Sequence, residues 1–243
     1  MNTKKMMVAI SLLVLVVFVV SGCGTQVSTG ADGEPRLIQT YGEAEVKAEP
    51  DLARIGLAIE TRSNSAEQAV EENARLANAV FEALKDFGLD EEEIKTGSYQ
   101  LYSYREWLGD RPAGEGVITY QASNEVIVST SRIEEVGEMI DLAVKAGANN
   151  INFINFELEN PQELQLEALK AATEQAELKA EAIADSAGEK ISGLYRIREE
   201  RTEYTPYVVR QDVAMDEMGM GAPTPIVPDE VVVRGMVTAE FAF

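Results

Sequence analysis

The chain has 243 residues with 42 acidic and 21 basic side chains, a formal charge of −21, no histidine and a single cysteine. The missing histidine excludes Ser-His-Asp and Cys-His catalysis and histidine-bearing zinc sites, and one cysteine excludes internal disulfides and a cysteine-only zinc cage. The negative charge argues against nucleic acid and anionic lipid as partners, since both are negative as well. We expect a solvated acidic surface and no cofactor.

The N-terminus has the pattern of a secretory signal. Lys4 and Lys5 precede a largely apolar run, Met6–Val20, and small residues follow as far as Cys23. A basic head, a short apolar core and a small-residue end are typical of a cleaved leader, and the run is shorter than the about 20 residues of a spanning helix. The segment Val20–Cys23 resembles the bacterial lipobox, in which the cysteine is acylated and the leader is cut just before it. The alternative is an uncleaved anchor with an incidental thiol.

These features divide the chain into three predicted regions. Residues 1–22 are the predicted signal peptide, residues 23–36 a flexible tether and residues 37–243 one folded domain. Each buried lipid methylene contributes about 0.8 kcal/mol, so acyl chains on Cys23 would hold the domain at a membrane. We therefore expect an extracytoplasmic lipoprotein on the cell membrane or on the outer membrane.

The first predicted elements of the domain are two strands. Two runs of alternating polarity lie on either side of the Pro-Asp turn at residues 48–51, and this pattern predicts a β-hairpin. In the second run three apolar residues share one face of the strand: Ile55, Leu57 and Ile59.

A helix and a second strand pair follow. A capping box that starts at Ser65 and a glycine at Gly88 bound the first predicted helix. The segments 94–107 and 116–130 are predicted strands, and the loop 108–116 between them is rich in glycine with one proline, which favours the tip of a long hairpin.

The next elements are a second helix, a strand and the longest helix. The second helix is predicted from a capping box at Ser131 to Gly147, and a strand with three alternating apolar residues comes after it: Ile154, Phe156 and Leu158. Asn160 caps the third helix, which is rich in alanine and runs to about Ala187, where a glycine ends it. Two strands complete the chain, "KISGLYRIREERTEY" and the alternating run from Val231 to the end.

The order of elements predicts the fold class. Between residues 51 and 158 it is strand, helix, strand, strand, helix, strand, which is the ferredoxin-like order. The expected fold is α+β: an antiparallel sheet with a ferredoxin-like βαββαβ core, a long third helix and additional strands.

Several segments, taken in order, resemble the SIMPL-domain family of bacterial envelope proteins. They are "TYGEAEVKAEPDLARIGLAIE", "IKTGSYQLYSY", "TYQASNEVIV", "AGANNINFINFEL" and the alanine-rich third helix, and the resemblance covers residues 37–243. One departure is Pro228-Asp229 where the family has Pro-Gly; aspartate tolerates the left-handed conformation better than most residues. The resemblance implies an extracytoplasmic protein with no catalytic residues to carry over, and it implies themes of oxidative-stress tolerance and self-assembly.

Two clusters are candidate binding features. Three methionines in "AMDEMGM" could bind a soft metal such as Cu(I) or a small ligand, or could simply pack on the protein body or on a partner: Met215, Met218 and Met220. Five aromatic residues gather on the central strand pair: Tyr99, Tyr102, Tyr104, Trp107 and Tyr120. Alternation puts Tyr102 and Tyr104 on one face and Tyr99 and Trp107 on the other. One set would form an interface, or would be covered by the third helix or the last strands.

The sequence thus predicts a lipid-anchored, non-catalytic binding or scaffold protein of the cell envelope. We expect it to form a homo-oligomer or to contact another envelope protein, in envelope or oxidative-stress tolerance. The alternatives are a copper or small-ligand protein that uses the methionines, and a hydrolase that uses carboxylates. No pair of carboxylates can be singled out for the latter, because Asp and Glu are so abundant.

Overall fold

A computed structural model of the chain describes residues 35–106, 116–209 and 224–243. The predicted signal peptide, nearly all of the predicted tether, Cys23, Trp107 and the three candidate methionines lie outside the described residues. The elements in chain order are β1 (Leu37–Ala48), β2 (Leu52–Ser63), α1 (Ala66–Asp86), β3 (Ile94–Glu106), β4 (Val117–Thr130), a 3₁₀ turn (Ile133–Glu135), α2 (Val136–Ala146), β5 (Asn150–Glu157), α3 (Gln162–Ser186), β6 (Gly193–Thr205), β7 (Tyr207–Val208) and β8 (Val231–Ala242).

A five-stranded sheet with the order β3-β4-β2-β5-β7 contains the ferredoxin-like core. Its strand pairs are antiparallel. The four strands of the βαββαβ unit stand in the order expected for that fold, so the predicted α+β class and core are confirmed.

The core lies between one face of this sheet and the helices α1 and α2. Alternation puts Ile55, Leu57 and Ile59 on that face, where all three are fully buried, as the sequence predicts. They pack in one cluster with residues of both helices and of the neighbouring strands: Val80, Leu84, Val126, Val128, Val136, Met139 and Phe156.

The predicted hairpin between the first two strands is wrong. Strand β1 belongs to a separate three-stranded sheet with the order β1-β8-β6. Strand β2 lies between β4 and β5, so both of its edges are already hydrogen-bonded and neither is left for β1. The Pro-Asp turn has a different role: the carboxylate of Asp51 accepts a hydrogen bond from the amide of Glu159 at 2.7 Å.

The described residues divide into two compact units. One contains residues 35–43, 172–200 and 237–243, and the other contains residues 44–106, 116–171, 201–209 and 224–236. The ferredoxin-like core lies within the second unit. Four elements, β1, α3, β6 and β8, contribute residues to both.

Helix ends follow the sequence signals at the C-terminal side more closely than at the N-terminal side. Gly88, Gly147 and Gly188 follow the three helices with positive φ, which confirms the predicted stops. The capping boxes are not formed, because the Ser65 side chain makes no capping hydrogen bond and α2 begins after a 3₁₀ turn. Asn160 does cap α3, since its side-chain oxygen accepts from the amide of Gln162 at 3.2 Å.

Helix α3 lies close to two strands because glycine faces it. Every fourth residue of the helix is a fully buried alanine: Ala168, Ala172, Ala176, Ala180 and Ala184. In the first unit a Cβ on Gly42 would collide with the carbonyl oxygen of Ala172. In the second unit a Cβ on Gly235 would lie 2.7 Å from the carbonyl group of Ala168. Glycine in the strands and alanine in the helix therefore let the backbones approach closely.

Candidate interaction surfaces

The sequence-predicted site residues are largely beyond what the structure describes. Cys23, Met215, Met218 and Met220 lie outside the described residues, so lipidation and soft-metal binding stay predictions. Within residues 35–106, 116–209 and 224–243, no group of three or more His, Cys, Asp or Glu side chains is placed to hold a metal ion. No helix in these same segments is long and apolar enough to cross a membrane.

Both ends of the segment that carries the methionines are attached to the second unit. The amide of Val209 donates to the carbonyl of Ile154 at 3.1 Å. The amide and hydroxyl of Thr224 donate to the two carboxylate oxygens of Asp141 on α2, at 3.2 and 2.7 Å. Gly137, one turn earlier on α2, leaves room for the Thr224 carbonyl. These contacts hold Thr224 on the surface of α2.

The β3–β4 pair has a buried base and an outer part in which β3 is largely exposed. At the base, Ile94, Val126 and Val128 belong to the core. We call residues 99–106 and 117–122 the hairpin arm. β3 stands at one end of the order of the five-stranded sheet.

One face of the arm exposes three large apolar side chains. Tyr99 and Leu101 pair with Asn124 and Ala122 of β4 and so lie on the helix-covered face of the sheet, as does Ile118 opposite Arg105. Tyr99, Leu101 and Ile118 are nevertheless 51%, 45% and 46% exposed. We call these three residues, together with Tyr120, the arm front.

The other face of the arm carries two tyrosines beside a polar network. Tyr102 and Tyr104 have ring centroids 6.4 Å apart with a tilt of 37°. Tyr102 lies opposite Gln121 on β4, and Gln121 lies opposite Arg62 on β2, so these three form one row across three strands. We call Tyr102, Tyr104, Gln121, Arg62 and Glu60 the tyrosine face.

Gln121 holds the polar part of the tyrosine face in place. It is buried; its side-chain oxygen accepts from Nε of Arg62 at 2.9 Å and its nitrogen donates to Glu60 at 3.1 Å. The backbone of Glu60 is in turn paired with the side-chain amide of Asn149, at 2.9 and 2.7 Å. A guanidinium, an amide and a carboxylate are thereby fixed side by side.

The aromatic residues are arranged in part as the sequence predicts. Tyr102 and Tyr104 share one face, and Tyr99 lies on the other. The expectation that the third helix or the last strands cover one of these faces is wrong, because Tyr102 is 46% exposed and Tyr99 is about half exposed. Sequence reasoning missed Arg62, Glu60 and Gln121. Gln121 is 59 positions from Arg62 and 61 positions from Glu60 in the sequence, so no local pattern indicates that these side chains pair.

The first unit has a shallow groove lined by opposite charges. It lies on the three-stranded sheet, and its lining residues come from all three strands: Gln39, Arg196, Arg198, Glu200, Thr238 and Glu240. Arg196 and Glu240 form an ion pair at 3.4 Å. A balanced, solvent-exposed surface of this kind favours solvation over tight capture of a charged ligand.

The pKa shifts among the described carboxyl groups come from surface ion pairs. Arg75 lowers the pKa of Glu72, and Lys85 lowers the pKa of Glu91, in each case chiefly through a hydrogen bond of 2.6 Å. A lowered pKa keeps a carboxyl ionised, which is the opposite of what a general acid needs. Burial raises the pKa of Tyr204, whose hydroxyl accepts from the amide of Leu158 at 2.6 Å. This hydrogen bond attaches β6 to the residue that follows β5.

The described residues therefore define an α+β protein with a ferredoxin-like core. Its described surface includes the hairpin arm, with the arm front on one side of the sheet and the tyrosine face on the other.

This chain belongs to the SIMPL family, described as a protein of unknown function (DUF541), because the family model matches residues 38–241. It is 28% identical over 168 residues to the 26 kDa periplasmic immunogenic protein of Brucella melitensis, covering 68% of this chain and 67% of that protein. It is 24% identical over 191 residues to the uncharacterized protein YggE of Escherichia coli, covering 77% and 74%. YggE of Edwardsiella ictaluri is 24% identical over 187 residues, with 77% of each chain covered. The resemblance seen in the sequence is thus confirmed at the level of the family.

Proposed function

We propose that this chain is an extracytoplasmic, lipid-anchored binding or scaffold protein without catalytic activity, and that it self-associates through the hairpin arm. The observation that carries this proposal is the exposure of Tyr99 and Leu101 on β3, the strand at the end of its sheet, together with the exposed Ile118 on the neighbouring β4. The location is supported by the leader-like N-terminus and by a relative whose name describes it as periplasmic.

The arm suits association because it combines apolar side chains with a strand edge. A terminal strand presents backbone N–H and C=O groups that can pair with another strand. The nine residues from Thr96 to Tyr104 carry no charged side chain that would oppose such pairing. In a two-fold symmetric dimer the same patch serves both copies, so β3 would lie antiparallel to β3 of a second copy.

The oligomer is tested by adding one charge to the arm front. Leu101→Lys places an ammonium group where the second copy would pack, so we expect the full chain in detergent to change from oligomer to monomer in sedimentation velocity at micromolar concentration. Leu178→Lys is the matched control, because Leu178 is an exposed leucine of α3 and should leave the oligomer intact. A wild-type monomer, or an oligomer unchanged by Leu101→Lys, would contradict the proposal.

The anchor is tested at the cysteine. We expect Cys23→Ala to abolish labelling by a tagged fatty acid and to leave an uncleaved precursor, because acylation precedes cleavage at a lipobox. Cys23→Ser is a stricter control for volume and polarity and should behave in the same way. Wild-type protein that stays in the membrane fraction without a lipid label would contradict the anchor.

The proposed role in envelope or oxidative-stress tolerance rests on the family resemblance. It predicts that cells without this chain survive peroxide less well, and that wild-type protein restores survival. If association is required, Leu101→Lys will not restore survival although it reaches the membrane in the same amount. Equal survival of all strains would remove the stress role and leave the structural proposals untouched.

A further inference from the structure

The proposed self-association uses the arm front and gives the tyrosine face no role. It lies on the opposite side of the sheet from the arm front, and it combines Tyr102 and Tyr104 with the polar row of Gln121 and Arg62. The neighbouring row adds Gln100 beside Ser123 on the same face. The rings are exposed or half-buried, whereas the polar groups beside them are fixed by hydrogen bonds.

Aromatic rings beside fixed planar polar groups are the chemistry that recognises a pyranose ring. A sugar has an apolar face of C–H groups, which stacks on an aromatic ring, and a rim of hydroxyls that both donate and accept hydrogen bonds. Tyrosine supplies an apolar ring with a polar tip. Amide, carboxylate and guanidinium groups together supply donors and acceptors in fixed directions. A few placed polar groups beside aromatic side chains are typical of small-molecule sites.

The charges of this face favour a neutral ligand. Arg62 lies 3.9 Å from the carboxylate of Glu60, so the cation is balanced within the face itself. The chain as a whole has a formal charge of −21, which disfavours a polyanion such as nucleic acid. An open sheet face contacts an extended polymer along its length. The 6.4 Å between the two ring centroids is comparable to the advance of one pyranose ring along such a chain.

We propose that the tyrosine face binds a neutral, β-linked hexopyranose polymer, with Tyr102 and Tyr104 stacking on successive sugar rings and with Arg62 and Glu60, which the buried Gln121 holds in place, bonding the hydroxyl rim. Such a polymer carries either N-acetyl groups or hydroxyls alone on its rings. Chitohexaose and cellohexaose are probes of these two kinds. In an extracytoplasmic protein both kinds are within reach of this face.

The test measures binding of the two hexasaccharides to the full chain in detergent by isothermal titration calorimetry. We expect at least one probe to bind, and Tyr102→Ala to weaken its binding at least about tenfold, as for an aromatic residue central to an interface. Tyr195→Ala is the matched control, because Tyr195 is an exposed strand tyrosine of the first unit, and it should bind as the wild type does. Preference for one probe identifies the kind of polymer.

The same samples separate this inference from self-association. Leu101→Lys should lose the oligomer and keep the sugar, whereas Tyr102→Ala should keep the oligomer and lose the sugar. The inference is overturned if neither hexasaccharide binds the wild type at millimolar concentration, or if Tyr102→Ala and Tyr104→Ala both bind normally. Dissociation of the oligomer by Tyr102→Ala without any sugar binding would reassign this face to a second copy, which also overturns it.

Discussion

Strands β3 and β6 have the same length and similar positions, but they differ in how their edges are protected. Each has 13 residues, and each stands at one end of the order of its sheet. β6 carries charged side chains along most of its length: Arg196, Arg198, Glu199, Glu200, Arg201 and Glu203. β3 has three, Lys95, Arg105 and Glu106, all close to its ends.

The comparison indicates which edge is free to make contacts. Natural sheets use charged side chains on terminal strands to prevent pairing with other chains. β6 follows that rule, and its charges are accompanied by ion pairs such as Arg196–Glu240. β6 also exposes Leu194, Tyr195 and Ile197, but these lie among its charged side chains. The middle of β3 departs from the rule, because its exposed tyrosine and leucine have no charged residue near them along the strand. The difference supports association at the arm and solvation at β6.

The largest expected effect comes from filling the space that Gly42 leaves under α3. Gly42→Val would push its side chain into the carbonyl of Ala172, and overpacking of this kind costs about 1–3 kcal/mol. Urea denaturation should show the loss, while the remaining folded protein should still associate through β3. Tyr41→Val is the control on the same strand, since Tyr41 is exposed. If Gly42→Val unfolds at the same urea concentration as the wild type, β1 and α3 are not closely packed at Gly42.

A second substitution destabilises the five-stranded sheet, which contains β3, whereas Gly42→Val acts on the three-stranded sheet. The buried side-chain nitrogen of Asn73 on α1 donates to the carbonyls of Ile59 and Ala122 at 2.7 and 3.1 Å. Asn73→Ala removes both hydrogen bonds from the interior and should cost about 1–3 kcal/mol in urea denaturation. Arg75→Ala breaks only the exposed pair with Glu72 and should leave the urea midpoint nearly unchanged, because solvent screens such a pair. Equal losses in the two variants would contradict a structural role of Asn73.

Removing charge from β6 should make it behave more like β3. The double variant Arg198→Thr and Glu200→Thr keeps the net charge, because one residue of each sign is lost. We expect association to become stronger by about tenfold, equivalent to about 1.4 kcal/mol, as larger species in sedimentation velocity. Glu167→Thr with Lys170→Thr, on the exposed surface of α3, is the matched control. An unchanged sedimentation profile would show that these two charges do not protect the edge.

The smallest expected effect is a dependence on alkaline pH. Burial raises the pKa of Tyr204 above its ordinary value of 10.0. The neutral phenol is therefore favoured in the folded protein, and its contribution to stability is present below pH 10 and lost as the pH rises through the raised pKa. Tyr204→Phe should lose the hydrogen bond from Leu158 but should show a weaker fall in stability between neutral and strongly alkaline pH. A parallel fall in both proteins would assign the pH dependence to other groups.

Sequence reasoning predicted those features that depend on neighbours along the chain. The alternation of β8 and the buried face of β2 follow from side-chain polarity at a period of two. The helix stops at Gly88, Gly147 and Gly188 follow from the left-handed backbone that glycine tolerates. β8 begins at Val231 directly after the Pro-Asp-Glu segment, so the departure from the family pattern there leaves the strand in place.

Features that depend on distant partners were predicted less well. The hairpin of β1 and β2 failed because β4 and β5 occupy both edges of β2, and neither strand is near it in the sequence. The capping box at Ser65 did not form because Gln68 accepts from Ser63 instead, at 2.9 Å. The row of Tyr102, Gln121 and Arg62 exists only because three separate strands align in one register.

The sequence by itself determined the family, the α+β class and the ferredoxin-like order, because helix and strand signals are local and their order limits the possible topologies. It also determined which chemistry the chain lacks, since a residue that is missing cannot act. Only the tertiary structure decided which strands share a sheet and which tyrosines stay exposed. Strand pairing and burial are set by competition among all parts of the chain for the same edges and faces, and no short segment contains that information.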